Sequence, residues 1–214
     1  PIREGADYME TAALGRAECM KLYGMLFGAE HEADSIWDAV KRRYNGLKAI
    51  AQKSGTRPSV IIDKVTGPVW YVPGGQSTLG RVIADANAAY PFAGDANSGS
   101  LPLTFEAVLA KAKDADVWML RHDSRQPATY SALLAENPGY AQFKAFRERR
   151  VYGSPTAGGS TFYEDTPFSP DLLLPEAGMG NGDDGAQQQV GAEGGVFIAG
   201  AAAGGGATVE APLP

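Results

Sequence analysis

The sequence predicts an α/β protein in which a long helical region precedes a mostly parallel, Rossmann-like sheet, and a Gly/Ala-rich tail follows it. Apolar side chains recur at helical spacing through residues 11–53. From residue 57 onward, short β-branched runs alternate with segments of helical periodicity, which is typical of βαβ units with right-handed crossovers. From residue 175 to the end there are eleven glycines and no Lys or Arg.

The first half of the helical region is residues 11–28, where Leu14, Leu22 and Leu26 fall near one side. Residues 30–53 give a stronger pattern, because apolar residues recur every three or four positions and charged residues occupy the opposite face. The apolar positions are Ala33, Trp37, Val40, Tyr44, Leu47 and Ala51. Together the two stretches predict a nearly continuous helix.

The sheet is expected to come from four short extended runs, at residues 59–63, 69–72, 116–121 and 151–152. Helices are predicted between and after them, at residues 77–87, 104–113 and 138–147, with a last short helix through residues 172–174. Ser77 or Thr78 is suited to cap the first of these helices, and Thr104 the second.

The tail, residues 175–214, includes a stretch at 199–206 made only of Ala and Gly. Such a composition cannot bury enough apolar area to offset about 1–2 kcal/mol of backbone entropy per residue. The sequence therefore predicts a disordered tail.

The composition excludes several functions. All 19 Lys and Arg lie in residues 1–150 and none forms a basic stripe, so nucleic acid is not expected as a partner. A single cysteine, Cys19, forms neither an intrachain disulfide nor a Cys-based metal site. The sequence contains no run of 18 apolar residues, so no membrane-spanning helix is predicted. Because the chain begins at Pro1 without a signal sequence, we interpret it as a mature form or, preferably, a fragment.

Catalytic and metal-binding signatures are weak. There are two histidines, His31 and His122, and no cluster of ligand residues at metal-binding spacing. The Gly-x-Ser-x-Gly motif of hydrolases is absent. The glycine-rich segment 74–81 fails as a Walker loop, because Gly80 is followed by Arg81 rather than Lys. Its amides remain a candidate anion site at a helix start, and a plain tight turn is an equal alternative.

The predicted loops hold a better candidate, a ligand-binding cluster of aromatic, hydroxyl and cationic side chains. Ligands of parallel α/β sheets bind beyond the carboxyl ends of the strands. Aromatic rings with one cation suit a large, partly apolar, anionic ligand. The alternative is that Trp70 is a core residue and that Arg121 pairs with Asp123. The proposed ligand-binding residues are Trp70, Tyr71, Ser98, Arg121 and Tyr163.

Four separated segments carry a family resemblance. They are, in order, ADYMETAALGRAECMKLYGMLFG, VWYVPGGQSTLGRVIADANAAY, GSLPLTFEAVLAKAKDADVWMLR and TFYEDTPFSPDLLL. The chain thereby resembles the class III periplasmic solute-binding proteins of ABC transporters, in particular Bacteroidetes-like members. In that class a long rigid helix joins two α/β lobes, and an iron siderophore, haem or cobalamin binds between them.

The resemblance implies three regions. Residues 1–56 would be the end of an N-terminal lobe and the interlobe helix, residues 57–174 the C-terminal lobe, and residues 175–214 an added tail that looks like out-of-frame translation. The chain would then be a binding component located in the periplasm or cell envelope, without catalytic residues, cofactor or structural metal. Its partners would be ABC transporter permease subunits, docked through Glu106, and a small metal-chelate ligand. The alternatives are an α/β enzyme, either a hydrolase or a redox lobe, and an interaction fragment with no small ligand.

Overall fold

In the computed structural model, residues 10–122, 129–155 and 166–174 are described. The helical region forms three helices, α1 (Ala13–Glu18), α2 (Met20–Phe27) and α3 (Glu30–Lys53). The prediction of a nearly continuous helix over 11–53 is wrong, because the chain reverses at Gly28. This glycine lies in the left-handed region at φ 67°, which an L-residue adopts only with strain.

After this reversal, α1 and α2 pack antiparallel to the first half of α3. Gly24 permits the close approach, since a Cβ added there would lie 2.6 Å from the Ala33 Cβ. Nearer the middle of the pair, Ala17 packs with Trp37 and Val40. Only α3, with 24 residues, is long enough to serve as the long helix that the sequence predicted.

The parallel sheet is central. Its strands are β1 (Val60–Ile62), β5 (Val117–His122) and β6 (Val151–Pro155), in the order β1-β5-β6. Both pairings are parallel, with Ile62 opposite Met119 and Arg121 opposite Ser154. A parallel bridge between Ser59 and Ala89 adds the start of a fourth extended segment beside β1. The predicted parallel α/β arrangement is confirmed.

A second sheet is antiparallel and was not predicted as such. It consists of β2 (Val65–Thr66), β3 (Val69–Pro73) and β4 (Ser100–Leu103), in that order. Gly67, at φ 61°, makes the tight turn between β2 and β3. The sequence predicted β3 as an extended run but gave no strand at β4.

The remaining helices surround the sheets. They are α4 (Thr78–Asp85), α5 (Phe105–Ala112), α6 (Tyr130–Glu136) and α7 (Lys144–Arg147), with 3₁₀ turns at Pro138–Gln142 and Pro170–Leu173. The side chains of Ser77 and Thr104 cap α4 and α5 as predicted, accepting bonds from the Gly80 and Ala107 amides. The single helix predicted at 138–147 is divided into a 3₁₀ turn and α7, because Phe143 between them is extended.

An aromatic cluster fills the space between the two sheets. Its four fully buried members are Trp70, Trp118, Tyr140 and Phe143. The Trp70 ring stacks on Trp118 at 5.5 Å between centroids, and Trp118 meets Tyr140 edge-on at 5.0 Å. Such contacts add about 0.5–1.5 kcal/mol per pair beyond the burial of apolar area.

The last described segment, residues 166–174, returns to the long helix. Asp171 is buried and accepts a bond from Arg43 Nε of α3 at 2.6 Å. Leu173 and Leu174 join the main core. Within the described residues, no helix is long and apolar enough to cross a membrane, and no group of His, Cys, Asp or Glu has the geometry to hold a metal ion. The predicted tail at 175–214 lies outside the described residues.

Candidate ligand-binding edge

The carboxyl end of the parallel sheet carries a charged pair built from two strands. β5 continues past the end of β1, so Arg121 reaches beyond Ile62 to the residue that follows it, Asp63. The guanidinium donates from Nε to Asp63 Oδ1 at 2.8 Å and from Nη2 to Oδ2. This two-point geometry holds both side chains in a fixed plane. The pair is half-buried, with 30% of the Arg121 side chain and 15% of Asp63 exposed.

The backbone around Asp63 is held just as firmly. Asp63 has a φ of 61°, in the left-handed region where a non-glycine residue is uncommon. Its N–H donates to the Met119 carbonyl at 2.8 Å, and its own carbonyl accepts the Trp118 indole N–H at 2.6 Å. The aromatic core therefore fixes the direction in which the Asp63 carboxylate points.

A second charged pair lies next along the chain. Lys64 bonds to Glu136, at the end of α6, and only 19% of the Lys64 side chain is exposed. The buried Tyr140 holds the segment after Lys64 in place, because its hydroxyl accepts a hydrogen bond from the Val65 N–H at 3.1 Å. Burial raises the pKa of the Tyr140 hydroxyl, so it stays neutral in this contact.

Among the predicted ligand-binding residues, Trp70 is misplaced. Its side chain is fully buried between the sheets, and its indole donates to the Ile62 carbonyl at 2.9 Å. The prediction that this ring contacts a ligand is therefore wrong, and the alternative of a core residue is correct. The physical reason is strand alternation, since Trp70 faces the core from β3 while its neighbour Tyr71 faces outward.

Tyr71 and Ser98 are both accessible. Tyr71 is 50% exposed and pairs with Pro102 on the outer face of the antiparallel sheet. Ser98 is exposed in the loop that leads into β4. Their assignment as ligand-binding residues stays a prediction.

Arg121 does lie at the predicted edge, but its described partner is Asp63. Sequence reasoning missed Asp63, Lys64 and Glu136. The only available signal was that Asp63 and Lys64 directly follow a buried strand. The alternative partner Asp123 and the proposed ligand contact Tyr163 both lie outside the described residues.

The glycine-rich segment forms a tight turn whose amides are largely used within the protein. Gly74 N–H donates to the Gly99 carbonyl at 2.8 Å, and Gln76 N–H to Asn97 at 3.1 Å. Ser77 Oγ accepts the Gly80 N–H at 3.1 Å and donates to the Gly74 carbonyl at 2.7 Å. These bonds favour the tight turn over the anion site.

Glu106 lies in the first turn of α5 and is exposed. A carboxylate in this position is favoured by the helix dipole whether or not it meets a partner. A cleft of about 300 Å³ runs beside α5. Its lining includes Phe92, Asp95, Leu101, Ala107 and Lys111.

The fold and this edge define the chain as an α/β lobe of the type that binds ligands at the carboxyl ends of its strands. A profile of the periplasmic binding protein family matches residues 7–157. The chain belongs to that family. The family is one of solute-binding proteins, which confirms the classification as a binding protein rather than an enzyme.

Two curated relatives are similar in sequence, both described as uncharacterized lipoproteins of Methanocaldococcus jannaschii. One is 32% identical over 150 residues, covering 69% of this chain and 35% of the relative. The other is 32% identical over 152 residues, covering 69% of this chain and 38% of the relative. The chain therefore spans little more than a third of the length of these relatives.

Solved structures share the fold. An ABC-type Fe³⁺-hydroxamate transport system protein from Saccharomonospora viridis is 24% identical, with a TM-score of 0.56 over 68% of this chain and 49% of that chain. The periplasmic haem-binding protein RhuT from Roseiflexus is 17% identical, with a TM-score of 0.58 over 76% of this chain and 62% of that chain. Staphylococcus aureus IsdE, solved with haem, is 14% identical, with a TM-score of 0.55 over 77% of this chain and 65% of that chain. At these identities the likeness shows the fold alone.

Proposed function

We propose that the chain is part of the substrate-binding component of an ABC importer for an iron complex, either a siderophore or haem, or for a cobalamin-like ligand. The family match over residues 7–157 carries the proposal. The transport and haem-binding proteins that share the fold support it. In the full protein, the ligand would lie between the Asp63–Arg121 edge and a second lobe joined through α3. Residues 57–174 would then form the C-terminal lobe.

The proposed location is the periplasm or the outer face of the cell envelope. A binding component must meet its ligand before the importer does, and both curated relatives are described as lipoproteins. The importer's permease subunits are the proposed protein partner.

Ligand binding is tested by titrating the full-length gene product with haem, a ferric siderophore and cobalamin. Intrinsic tryptophan fluorescence is a suitable signal, because Trp118 is buried directly beneath the edge and donates to the Asp63 carbonyl. Saturable quenching by one compound at micromolar concentration or below is expected. If all three compounds leave both fluorescence and melting temperature unchanged, the proposed function is wrong.

Glu106 is the proposed docking residue for the permease. Its exposure and its position at the start of α5 leave the carboxylate accessible to a cationic partner. Because charge pairs at an exposed rim contribute more to orientation and association rate than to affinity, Glu106→Gln should slow transport most at low salt. Ligand affinity and melting temperature should stay unchanged.

The matched control is Glu148→Gln. Glu148 is also an exposed helix-end glutamate, but it precedes β6 and so lies toward the amino end of the parallel sheet. Transport is measured in vesicles containing the importer, with each variant of the full-length binding protein added at the same concentration. Equal rates for the Glu106 and Glu148 variants across a salt series would remove Glu106 from the docking surface.

A further inference from the structure

The cleft of about 300 Å³ beside α5, here named the α5 cleft, has an apolar floor that belongs to the core. Phe92 is buried, and Leu101 and Leu103 are partly buried against the main core. Both leucines are fixed by the pairing of β4 with β3. The floor is therefore in place before any partner arrives.

One wall of the α5 cleft is the loop over residues 91–99, which is held against the glycine-rich turn. Gly75 gives this loop the room it needs, because a Cβ at that position would clash with the Ala93 carbonyl oxygen. The Gln76 N–H then donates to the Asn97 carbonyl at 3.1 Å. These contacts fix the loop wall, so the cleft is a preformed feature of the lobe.

Charged side chains border this apolar floor. Asp95 lines the cleft from the loop, and Glu106 directly precedes the lining residue Ala107 in the first turn of α5. Both carboxylates are exposed, and neither forms an ion pair within the part of the chain that the structure describes. Lys111, one turn beyond Ala107, places its ammonium over the Phe92 ring at 5.4 Å from the centroid.

The size and the lining of the α5 cleft suit a protein side chain better than a metal chelate. Pockets that enclose small molecules usually measure about 300–1,000 Å³, so this cleft is at the lower limit. One large apolar side chain fits such a volume. An apolar pocket with a polar, solvent-accessible rim is also the usual arrangement at the centre of a protein–protein contact.

We propose that the α5 cleft receives an apolar side chain from a basic loop of the importer's permease subunit. This inference rests on the proposed function and adds an apolar anchor beside the charge contact at Glu106. The cleft is continuous with that contact, because Ala107 is the next residue of the same helix. Asp95 gives the opposite wall a second carboxylate for a cation of the same loop.

The experiment measures how tightly the full-length protein binds its importer in lipid nanodiscs, by surface plasmon resonance. Ala107→Phe fills the cleft from its exposed helix wall, and it should weaken docking about tenfold, because pocketed apolar anchors dominate interface energies. This loss should persist at high salt. Asp95→Asn keeps the oxygen that accepts the Asn97 N–H, and it should weaken docking only at low salt.

The matched control is Ala110→Phe. Ala110 is also an exposed alanine of α5, but it does not line the cleft. Both substitutions have the same intrinsic effect on helix stability, so their melting temperatures should be equal. Ala110→Phe should dock like the wild-type protein. Affinities of both variants for haem, a ferric siderophore and cobalamin should match those of the wild type.

Four results would overturn the inference. Equal docking of Ala107→Phe and Ala110→Phe would refute the apolar anchor and leave the proposed function intact. A loss of affinity for haem, siderophore or cobalamin in Ala107→Phe would assign the cleft to the ligand. A wild-type dimer that Ala107→Phe converts to a monomer in sedimentation would assign it to a second copy. Failure of the wild-type protein to dock would overturn the importer role together with this inference.

Discussion

The adjacent residues Trp70 and Tyr71 offer a sharp test of which side of β3 belongs to the core. Trp70 is fully buried, stacks on Trp118 and donates to the Ile62 carbonyl at 2.9 Å, whereas Tyr71 is half exposed. We expect Trp70→Phe to destabilise the fold without changing ligand affinity. Tyr71→Ala should leave stability nearly unchanged.

The magnitude follows from what each substitution removes. Complete truncation of a buried tryptophan costs roughly 3–5 kcal/mol. Trp70→Phe keeps one aromatic ring, but it leaves a void and deprives the buried Ile62 carbonyl of its donor, which alone costs about 1–3 kcal/mol. The free energy of unfolding should fall by about 2–3 kcal/mol. For a chain of this size, that lowers the melting temperature by roughly 4–12 °C. Tyr71→Ala should stay within about 1 kcal/mol, as expected of a partly exposed residue.

Urea unfolding followed by far-UV circular dichroism is the appropriate assay, because the tryptophan signal itself changes in the variant. Ligand affinity is measured in parallel by calorimetry on the full-length protein. An unchanged unfolding midpoint for Trp70→Phe, or a larger loss of stability for Tyr71→Ala, would refute the orientation of β3 described above.

Two further predictions concern stability. The Lys144 ammonium and the Ser59 N–H hold the pKa of Asp116 well below its usual range. The ionised carboxylate therefore stabilises the fold at pH values above its unfolded pKa of about 3.9. This contribution is lost as the pH falls toward the folded pKa. Asp116→Asn should therefore lower the melting temperature at pH 7, and the difference from wild type should shrink below about pH 4; a constant difference would contradict the assignment. Gly74→Ala should lower the melting temperature by more than 2 °C at every pH, because the added Cβ would lie 2.8 Å from the Gly99 carbonyl oxygen. An unchanged melting temperature would show that the loop relaxes freely.

Part of the parallel sheet was predictable because β1 is a short, wholly apolar run and β5 begins with one. The predicted run at 59–63 contains β1, and the run at 116–121 overlaps β5 over most of its length. Such runs are informative because strands buried on both faces lack a polar side. The caps at Ser77 and Thr104 were predictable for a similar local reason, since a Ser or Thr directly before a helical apolar pattern is favoured as the N-cap.

The elements that sequence reasoning missed depend on contacts distant in sequence. β4 contains Pro102, which disfavours a strand except at a sheet edge, and it forms because β3 provides the pairing partner. The reversal at Gly28 is invisible to helical periodicity, because the apolar spacing of α2 and α3 continues on either side of it. The left-handed Gly28 and the packing of α1 and α2 on α3, with Gly24 against Ala33 and Ala17 against Trp37, stabilise the reversed path.

The candidate site shows the same limit more sharply. Arg121 was identified from its position at a strand end, but its partner Asp63 is 58 residues earlier in the chain. No local pattern links the two residues. Their distance is set by the register that places Ile62 beside Met119 and lets β5 extend past β1. A cation that looks available for an anionic ligand in the sequence is therefore a neutralised pair in the fold.

This neutralised pair is also coupled to the aromatic core. The Trp118 indole donates to the Asp63 carbonyl, and the Trp70 indole donates to the carbonyl one residue earlier. Both rings stack on each other, so the end of β1 is fixed by the same cluster that stabilises the two sheets. Trp70, which the sequence suggested as a ligand contact, thus lies in the buried layer beneath this edge. Trp70 and Trp118 hold the backbone at the end of β1, from which the Asp63 carboxylate reaches Arg121.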